Sequence, residues 1–355
     1  MDLVDKTILL ISPEGWGDNY VSKHHYANTL ARKGNKVYFL NPPSSKWSVS
    51  SSENKVKIVN YRARFRGVHR MPFLISALFN AIEIRGIERK LEVRFEIIWN
   101  FDSSRFFNLS KISNHVLKIC HLVDLNQDFQ RPLLAGTSNI CFGTTGYIVE
   151  KLKKYNPMSF KIGHGYQYPE QTYSDFHFKM PGQNRMKALY VGNLAMKYID
   201  WKVLLESAQT HSAIDFVFVG PDGLSNLAAN AHESEDKIKI QNLSNVYFCG
   251  PVHSKYIPQL LKMADALLIA YKEEYHADQA APHKMVEYLA SRKPIIATYT
   301  EEFDSRGAYE QLVMTRKNKD FPSKFSLNLP KATKHKMIPS YEDRVSEIRS
   351  YIQSI

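Results

Sequence analysis

The sequence predicts a doubly wound α/β protein built from two domains. An apolar run at residues 7–12 is followed by a glycine-containing turn, a helical stretch and a second apolar run at 36–41. This order of strand, turn, helix and strand is typical of the start of a doubly wound domain. Similar runs alternate with helical stretches in both halves, and 355 residues with 44% hydrophobic content suffice for two buried cores.

The first half supplies the strands of one predicted sheet. A helix is expected at residues 20–33, closed by Gly34, and another between the turn after Phe142 and residue 155. The serine-rich stretch 44–54 predicts a loop, and an apolar helix is expected to begin shortly after residue 70. The further strands of this half are predicted at 55–61, 95–101, 116–123, 139–142 and 159–163.

The second half begins again after a polar, irregular stretch. Strands are predicted at 187–191, 214–219, 245–249, 266–270 and 295–297, and helices at 200–210, 256–263 and 282–293. An amphipathic helix is expected at 341–355. The predicted organisation is an N-terminal domain at 1–170, a linker at 171–185, a C-terminal domain at 186–338 and a final helix at 339–355 that crosses back to the first domain.

The composition argues against several classes of protein. No apolar run approaches the roughly 20 residues of a membrane-spanning helix, and the first residues do not resemble a signal peptide. Cys120, Cys141 and Cys249 lack metal or redox spacing, so a cytoplasmic setting is expected. Gly15 and Gly17 lack the third glycine of a dinucleotide-binding turn. The net charge of +12 allows nucleic acid, an anionic membrane or an anionic substrate. No nucleic-acid-binding motif is present, so nucleic acid is not expected.

The helix at 282–293 carries the clearest chemical signal. Pro282 is suited to a helix start, and His283, Lys284 and Glu287 share a face away from the apolar stripe. A helix N-terminus favours phosphate, Lys284 adds a cation, and Glu287 could accept hydrogen bonds from a ribose diol. The alternative is an ordinary amphipathic helix with solvated charges.

A family resemblance favours the first interpretation. P-H-K-M-V-E-Y-L-A-S-R-K-P-I-I-A-T resembles the donor-binding segment of GT-B glycosyltransferases, P-x-K-x-x-E-Y-x-A-x-G-K-P-V-V-A-T. Y-V-G-N-L, F-V-F-V-G-P and N-V-Y-F-C-G-P-V-H resemble family segments in the same order. The resemblance implies two Rossmann-like domains facing a cleft, with the donor on the second domain. It also implies that Glu287 holds the ribose, that the helix start holds the diphosphate, and that no bound metal or other cofactor is needed.

The resemblance implies further donor-binding positions. The turn containing Gly250 and Val252 would contact the base, and Lys197, beyond the first turn at Gly192, would contact phosphate. Alternatively, these residues form ordinary turns and Lys197 is solvated. Many retaining members carry E-x7-E, but Gln279 occupies the first position here, with Asp278 beside it as a possible substitute. The choice between inversion and retention stays open.

The acceptor is expected on the first domain. The resemblance places the loop of Gly15, Trp16 and Gly17 at the cleft and His164 on the last loop of this domain. Asp124 follows a predicted strand at its carboxyl end, where it could act as the general base, with His121 one step inside the strand. Asp124 could instead orient the acceptor or cap a helix.

The resulting hypothesis is a glycosyltransferase that moves a sugar from a nucleotide-sugar donor to a saccharide or lipid-linked acceptor in bacterial envelope polysaccharide synthesis. One alternative is a sugar-nucleotide epimerase with the same fold, which would need more carboxylates around the sugar. Another is a non-catalytic basic protein that binds lipid or nucleotide.

A basic stretch in the first domain suggests a membrane contact. Four arginines lie among the apolar residues Phe65, Phe73 and Leu74 and could bring the enzyme to the inner face of a membrane; they are Arg62, Arg64, Arg66 and Arg70. The alternative is a solvated loop whose arginines pair with acidic residues between 83 and 96.

Overall fold

The chain folds into two compact units. In the computed structural model, unit 1 comprises Met1–Gln167 and Pro339–Ile355, and unit 2 comprises Tyr168–Ile338. The structure describes residues 3–17, 20–65, 67–124, 129–169, 171–183, 186–222, 234–304, 308–325, 329 and 336–354. Within those ranges, no helix is long and apolar enough to span a membrane.

Unit 1 contains an eight-stranded sheet in the order β3-β4-β2-β1-β5-β6-β7-β8. All neighbouring strands are parallel except β3 and β4. The strands are β1 (Thr7–Ile11), β2 (Lys36–Leu40), β3 (Ser48–Ser51), β4 (Lys57–Asn60), β5 (Ile97–Asn100), β6 (Leu117–Leu122), β7 (Ile140–Gly143) and β8 (Ser159–Lys161). The helices before unit 2 are α1 (Ser22–Arg32), α2 (Phe73–Leu91), α3 (Arg131–Gly136) and α4 (Gly146–Lys153).

Unit 2 contains a six-stranded parallel sheet in the order β11-β10-β9-β12-β13-β14. Its strands are β9 (Met186–Val191), β10 (Ile214–Val219), β11 (Val246–Phe248), β12 (Ala266–Ile269), β13 (Ile295–Thr298) and β14 (Leu312–Thr315). Its helices are α5 (Trp201–Thr210), α6 (Glu235–Gln241), α7 (Ile257–Lys262) and α8 (His283–Ser291). In the predicted linker, the backbone N–H and carbonyl of Tyr173 both bond the side-chain amide of Gln259, each at 2.9 Å, within this unit.

The last helix, α9 (Tyr341–Gln353), belongs to unit 1 and packs against α1. Its inward residues, Val345, Ile348 and Ile352, lie in the same core as Trp99 of β5. Ser340 caps this helix, because its hydroxyl accepts the backbone N–H of Asp343 at 3.1 Å.

Central strands of both sheets are fully buried, as expected for parallel strands covered on both faces. In unit 1, alternate residues supply two cores, so Trp99 faces one core and Ile98 faces the other.

The secondary structure predicted from the sequence was wrong in three respects. The stretch 44–54 is not entirely loop, because β3 pairs with β4 there. The prediction also lacked the short helices α3 and α6 and the edge strand β14. These elements are short, and β3 carries no buried residue, so they lack the apolar periodicity on which the prediction depends.

Candidate active site

The strand order of unit 2 defines a topological switch point between β9 and β12. From β9 the chain continues outward through β10 and β11 on one side, whereas β12, β13 and β14 extend on the other. Connections at the carboxyl ends of β9 and β12 therefore leave in opposite directions, and open α/β sheets bind ligands at such a crevice. The residues that follow these two strands are the first candidates for ligand contact.

Two glycines allow the backbone at this edge to pack closely. Gly192, directly after β9, has φ +148°, and Gly220, directly after β10, has φ +153°. A Cβ at Gly192 would lie 2.7 Å from Nζ of Lys284, and one at Gly220 would overlap the carbonyl oxygen of Gly192. Glycine is therefore favoured at both positions, because it allows Lys284 and the Gly192 carbonyl to approach the backbone closely.

Helix α8 begins beside this edge. Pro282, the predicted first residue of this helix, instead occupies the N-cap position, one residue before α8 begins at His283. Its carbonyl accepts the N–H of Met285 at 2.9 Å. The hydroxyl of buried Tyr288 accepts the backbone N–H of Val191 at 2.9 Å and ties α8 to the end of β9. The positive end of the helix dipole thus lies beside the switch point.

Lys284 extends from the first turn of α8 onto an aromatic surface. Its Nζ lies 3.8 Å from the ring centroid of Tyr190 and 5.7 Å from that of Tyr271. Burial lowers the pKa of Lys284 from 10.5 to about 7, and nearby Glu287 opposes this effect only in part. An anionic ligand would favour the charged ammonium, so this position is suited to a phosphate.

Glu287 lies one turn further along α8. Its carboxylate is partly exposed, with Oε1 3.7 Å from Nδ1 of His283. The predicted group His283, Lys284 and Glu287 is therefore brought together at one helix end, with one carboxylate accessible to a polar ligand. Three tyrosines complete the surroundings of Lys284 and Glu287; they are Tyr190, Tyr271 and Tyr288. Sequence reasoning did not find them, although the Glu-Tyr pair in the motif already included Tyr288.

The other predicted donor residues occupy loops near the carboxyl ends of the same sheet. The carbonyl of Gly250, after β11, accepts the N–H of Gly220 at 2.8 Å, and Val252 follows two residues later. Asp278 is exposed and Gln279 is partly buried in the loop after β12. The exposed Lys197 places its Nζ 5.3 Å from the ring centroid of Tyr275. Direct ligand contact by these residues stays a prediction.

In unit 1, Asp124 follows β6 and its side chain is half exposed. Its Oδ2 lies 4.0 Å from Nζ of Lys23, a buried lysine that also donates to Oε1 of Glu14 at 3.2 Å. Lys23 thus lies between two carboxylates, one after β1 and one after β6. Sequence reasoning did not find Lys23 or Glu14, because they lie about 100 residues before Asp124 in the chain.

The loop after β1 is fixed to its neighbours by its backbone. The N–H of Trp16 donates to Oδ1 of Asn41 at 2.8 Å, the carbonyl of Gly15 lies 3.1 Å from Nε2 of His24, and the Trp16 ring packs on Phe39. Gly15 and Gly17 are exposed. This loop therefore offers an ordered surface at the carboxyl end of β1.

His164 is buried rather than presented on a loop surface. Its Nδ1 lies 3.1 Å from the hydroxyl of Ser22, at the start of α1, and its carbonyl accepts from Nε of Arg344. These contacts fix the last loop of the first domain against α1 and α9. They favour a positioning role for His164.

The structure does not favour the prediction of His121 as a catalytic group. Its ring is completely buried among aromatic residues, with Phe101 4.7 Å away between centroids, and its Nδ1 accepts from Nε1 of Trp99 at 3.3 Å. Burial lowers its pKa to about 3, so the ring is neutral. All six residues of β6 are buried, and a side chain within such a strand faces the core rather than an acceptor.

Comparison with known proteins finds a family model that matches part of the second unit. Residues 185–324 match the family model described as glycosyl transferases group 1. This match covers 140 of the 355 residues of the chain. A putative teichuronic acid biosynthesis glycosyltransferase from Bacillus subtilis is 29% identical over 109 residues, which are 31% of this chain and 25% of that protein. The matched region thus spans about a quarter of that relative.

Solved structures of similar proteins extend the likeness over almost the whole chain. Sucrose-phosphate synthase from Thermosynechococcus elongatus has a TM-score of 0.62 and 13% identity, covering 98% of this chain and 94% of that one. Anabaena HepE, solved with UDP and glucose, has a TM-score of 0.58 and 12% identity, covering 98% and 90%. At these identities the likeness shows the fold alone. The predicted GT-B fold of two doubly wound domains is confirmed.

The GT-B donor-binding pattern given above has a glycine at the position that directly follows α8, and this chain does not. Arg292 stands at that position and adopts φ +63°, directly after α8 ends at Ser291. The left-handed conformation that glycine accepts without strain is therefore retained here by an arginine.

The structure shows no group of three metal-ligating side chains within the ranges it describes. The N-terminus of α8 and Lys284 lie together at the edge of the unit 2 sheet. Independence from metal stays a prediction.

Proposed function

We propose that this chain is a glycosyltransferase that uses a nucleotide-sugar donor and a saccharide or lipid-linked acceptor in envelope polysaccharide synthesis. The observation that carries the proposal is the N-terminus of α8 at the β9–β12 switch point, with Lys284 on Tyr190 and Glu287 one turn away. A diphosphate matches the cation and the helix dipole, and a ribose diol matches the accessible carboxylate. The family of residues 185–324 and the teichuronic acid relative support the same reaction class.

The reaction breaks the bond between the sugar and the diphosphate and forms a bond from the same carbon to an acceptor oxygen. The Lys284 ammonium and the α8 N-terminus stabilise the negative charge that develops on the departing diphosphate. The acceptor hydroxyl loses its proton either to Asp124, as in an inverting transfer, or to a departing phosphate oxygen, as in a retaining transfer. In the second case Asp124 orients the acceptor.

The cellular setting is part of the same proposal. The three cysteines are free thiols, which supports a reducing compartment. We place the enzyme in the cytoplasm, with peripheral contact at the inner face of the membrane when its acceptor is lipid-linked. A sugar-nucleotide epimerase, the alternative reaction, would need carboxylates around the sugar. In unit 2, Glu287 and Asp278 are two such carboxylates.

A panel of UDP-, GDP- and TDP-sugars tests the proposal. A glycosyltransferase is expected to hydrolyse one donor slowly without acceptor, and Lys284→Met is expected to abolish this hydrolysis. Lys202→Met, at an exposed position on α5, is the matched control and should retain it. Formation of a new nucleotide sugar would favour the epimerase, and a chain that changes none of the donors would refute both reactions.

A further inference from the structure

Helix α2 exposes an apolar surface that the fold does not use. Phe73, Leu74, Ile75 and Leu78 in its first two turns are all exposed, and Leu74 reaches 66% exposure. The opposite face of α2, including Ile84, is already buried in the core of unit 1. A helix that is apolar on its outer face as well as its inner one has an outer face suited to a partner.

A residue from another part of the chain extends this surface. Phe129 is 67% exposed and lies two residues before α3. The side-chain amide of the neighbouring Gln130 donates to the carbonyl of His69, in the turn leading into α2, at 3.3 Å. We call Phe73, Leu74, Ile75, Leu78 and Phe129 the α2 surface.

Arginines border the α2 surface. Arg70 is exposed three residues before Phe73, and Arg85 and Arg89 are exposed further along α2. On α2, Arg85 and Arg89 fall on one outward stripe with Leu74 and Leu78, because residues three and four apart share a helix face. Apolar side chains with basic residues beside them match a bilayer with anionic head groups, where the apolar groups enter the interface and the arginines meet lipid phosphates.

The arginines of the basic stretch at 62–70 do not all lie beside the α2 surface. Arg62 and Arg64 are also exposed, but the backbone N–H of Arg64 donates to Oε1 of Glu83 at 3.0 Å, and its guanidinium lies against Gly86. Arg64 is therefore held against α2, with its backbone rather than its guanidinium bonded to Glu83. Arg66 lies outside the described residues. Phe65 stacks on Phe79 at 4.1 Å and is only partly exposed, so it is not part of the α2 surface.

The α2 surface lies at the edge of unit 1 where the acceptor is expected. Helices that connect parallel strands run antiparallel to them, so the N-terminus of α2 lies at the carboxyl ends of the strands. Asp124 follows β6 at that same edge. A lipid-linked acceptor lying in a bilayer under the α2 surface would therefore present its sugar on the Asp124 side of the sheet.

We infer that the α2 surface docks unit 1 peripherally onto an anionic bilayer. The five apolar side chains enter the interface, and Arg70, Arg85 and Arg89 contact the head groups. The inference rests on the proposed function for the choice of a lipid-linked acceptor, and the docking itself can be measured independently. A second copy of the chain is the other occupant that the test distinguishes.

Flotation of the full chain with two kinds of vesicle tests the inference. The wild type is expected to float with vesicles of equal parts phosphatidylcholine and phosphatidylglycerol, but not with phosphatidylcholine alone. Binding should weaken when salt rises from 0.01 M to 0.1 M, as the Debye length falls from about 30 to about 10 Å. Leu74→Ser with Leu78→Ser should abolish flotation. Arg70→Ser with Arg85→Ser should weaken it roughly tenfold or more, since each arginine near an anionic surface contributes roughly a fivefold gain.

Matched controls and a second readout keep the outcomes distinct. Val49→Ser with Tyr155→Ser removes exposed apolar residues elsewhere in unit 1, and Lys153→Ser with Lys154→Ser removes exposed charges, so both should float like the wild type. All variants should keep their melting temperature and donor hydrolysis. A wild type that stays at the bottom with anionic vesicles, or surface variants that float equally well, would overturn the inference. A third outcome would also overturn the inference. In it, the wild type is a dimer in lipid-free solution, the variant Leu74→Ser with Leu78→Ser is a monomer, and neither protein floats with vesicles. Flotation without donor turnover would contradict the proposed function alone.

Discussion

Lys284 provides a prediction whose size can be worked out from the structure. The fall in its pKa from 10.5 to about 7 corresponds to about 5 kcal/mol of disfavoured charge, at about 1.36 kcal/mol per pH unit. A bound diphosphate supplies the missing counter-charge and returns part of this free energy. Because the side chain keeps some contact with solvent, we expect about 2 kcal/mol, in the range of charged hydrogen bonds.

The change is Lys284→Met, which keeps an apolar chain over Tyr190 and removes the charge. Affinity for the nucleoside diphosphate chosen by the donor panel should fall roughly thirtyfold, the equivalent of about 2 kcal/mol. Isothermal titration calorimetry at pH 8, in buffers of different ionisation enthalpy, measures the protons taken up on binding. Free Lys284 is mostly neutral at pH 8 and charged in the complex, so the wild type should take up nearly one proton more than Lys284→Met. At pH 6 the difference should almost vanish.

The same substitution should stabilise the fold while it weakens binding. In the unfolded chain the lysine has a pKa near 10.4, so between about pH 7 and 10.4 the unfolded state binds more protons. The charged Lys284 side chain therefore destabilises the folded state fully below pH 7, and this destabilisation is lost as the pH rises toward 10.4. Lys284→Met should accordingly raise the melting temperature most at pH 6 to 7. Lys202→Met should change neither property. Equal proton uptake in wild type and Lys284→Met, or a lower melting temperature with unchanged affinity, would refute this reasoning.

Three further predictions concern single side chains. Glu287→Ala should weaken nucleotide binding by roughly 1–3 kcal/mol, as for a lost charged hydrogen bond, while exposed Glu274→Ala should not, and equal calorimetric affinities would remove Glu287 from the site. Asp124→Asn should reduce sugar transfer far more than donor affinity, and a variant with wild-type transfer rates would leave Asp124 a structural role. Arg292→Gly should raise the free energy of unfolding by about 1 kcal/mol, because glycine relieves the left-handed conformation after α8; a denaturation midpoint at or below that of the wild type would contradict this explanation.

Sequence reasoning worked where the necessary information was local. Helix α8 was predicted to within two residues at each end, because Pro282 and Pro294 mark its limits and its apolar stripe is regular. Lys284 and Glu287 were found because residues three apart on one helix must share a face. The α/β class followed in the same way from apolar runs that alternate with helices.

The remainder of the site depends on contacts between distant parts of the chain. Tyr288 bonds Val191 across 97 positions, and Lys23 approaches Asp124 across about 100. No periodicity within one segment indicates such pairs. His121 illustrates the converse case: a histidine near the end of a strand resembles a site residue, but only the packing around β6 shows that its ring lies in an aromatic core.

The path of the chain has a consequence for how the protein folds during synthesis. Unit 2 is inserted within unit 1, which the chain leaves after Gln167 and re-enters at Pro339. The two ends of the insertion are adjacent, since the N–H of Tyr166 donates to the carbonyl of Pro339 at 2.9 Å. On the ribosome, the core around Trp99 therefore stays open until α9 has emerged, while unit 2 already has all of its strands. Loss of α9 would therefore disrupt the core of unit 1, although most of this unit is synthesised first. A short peptide joining Tyr166 to Ser340 should allow unit 1 to be produced without unit 2.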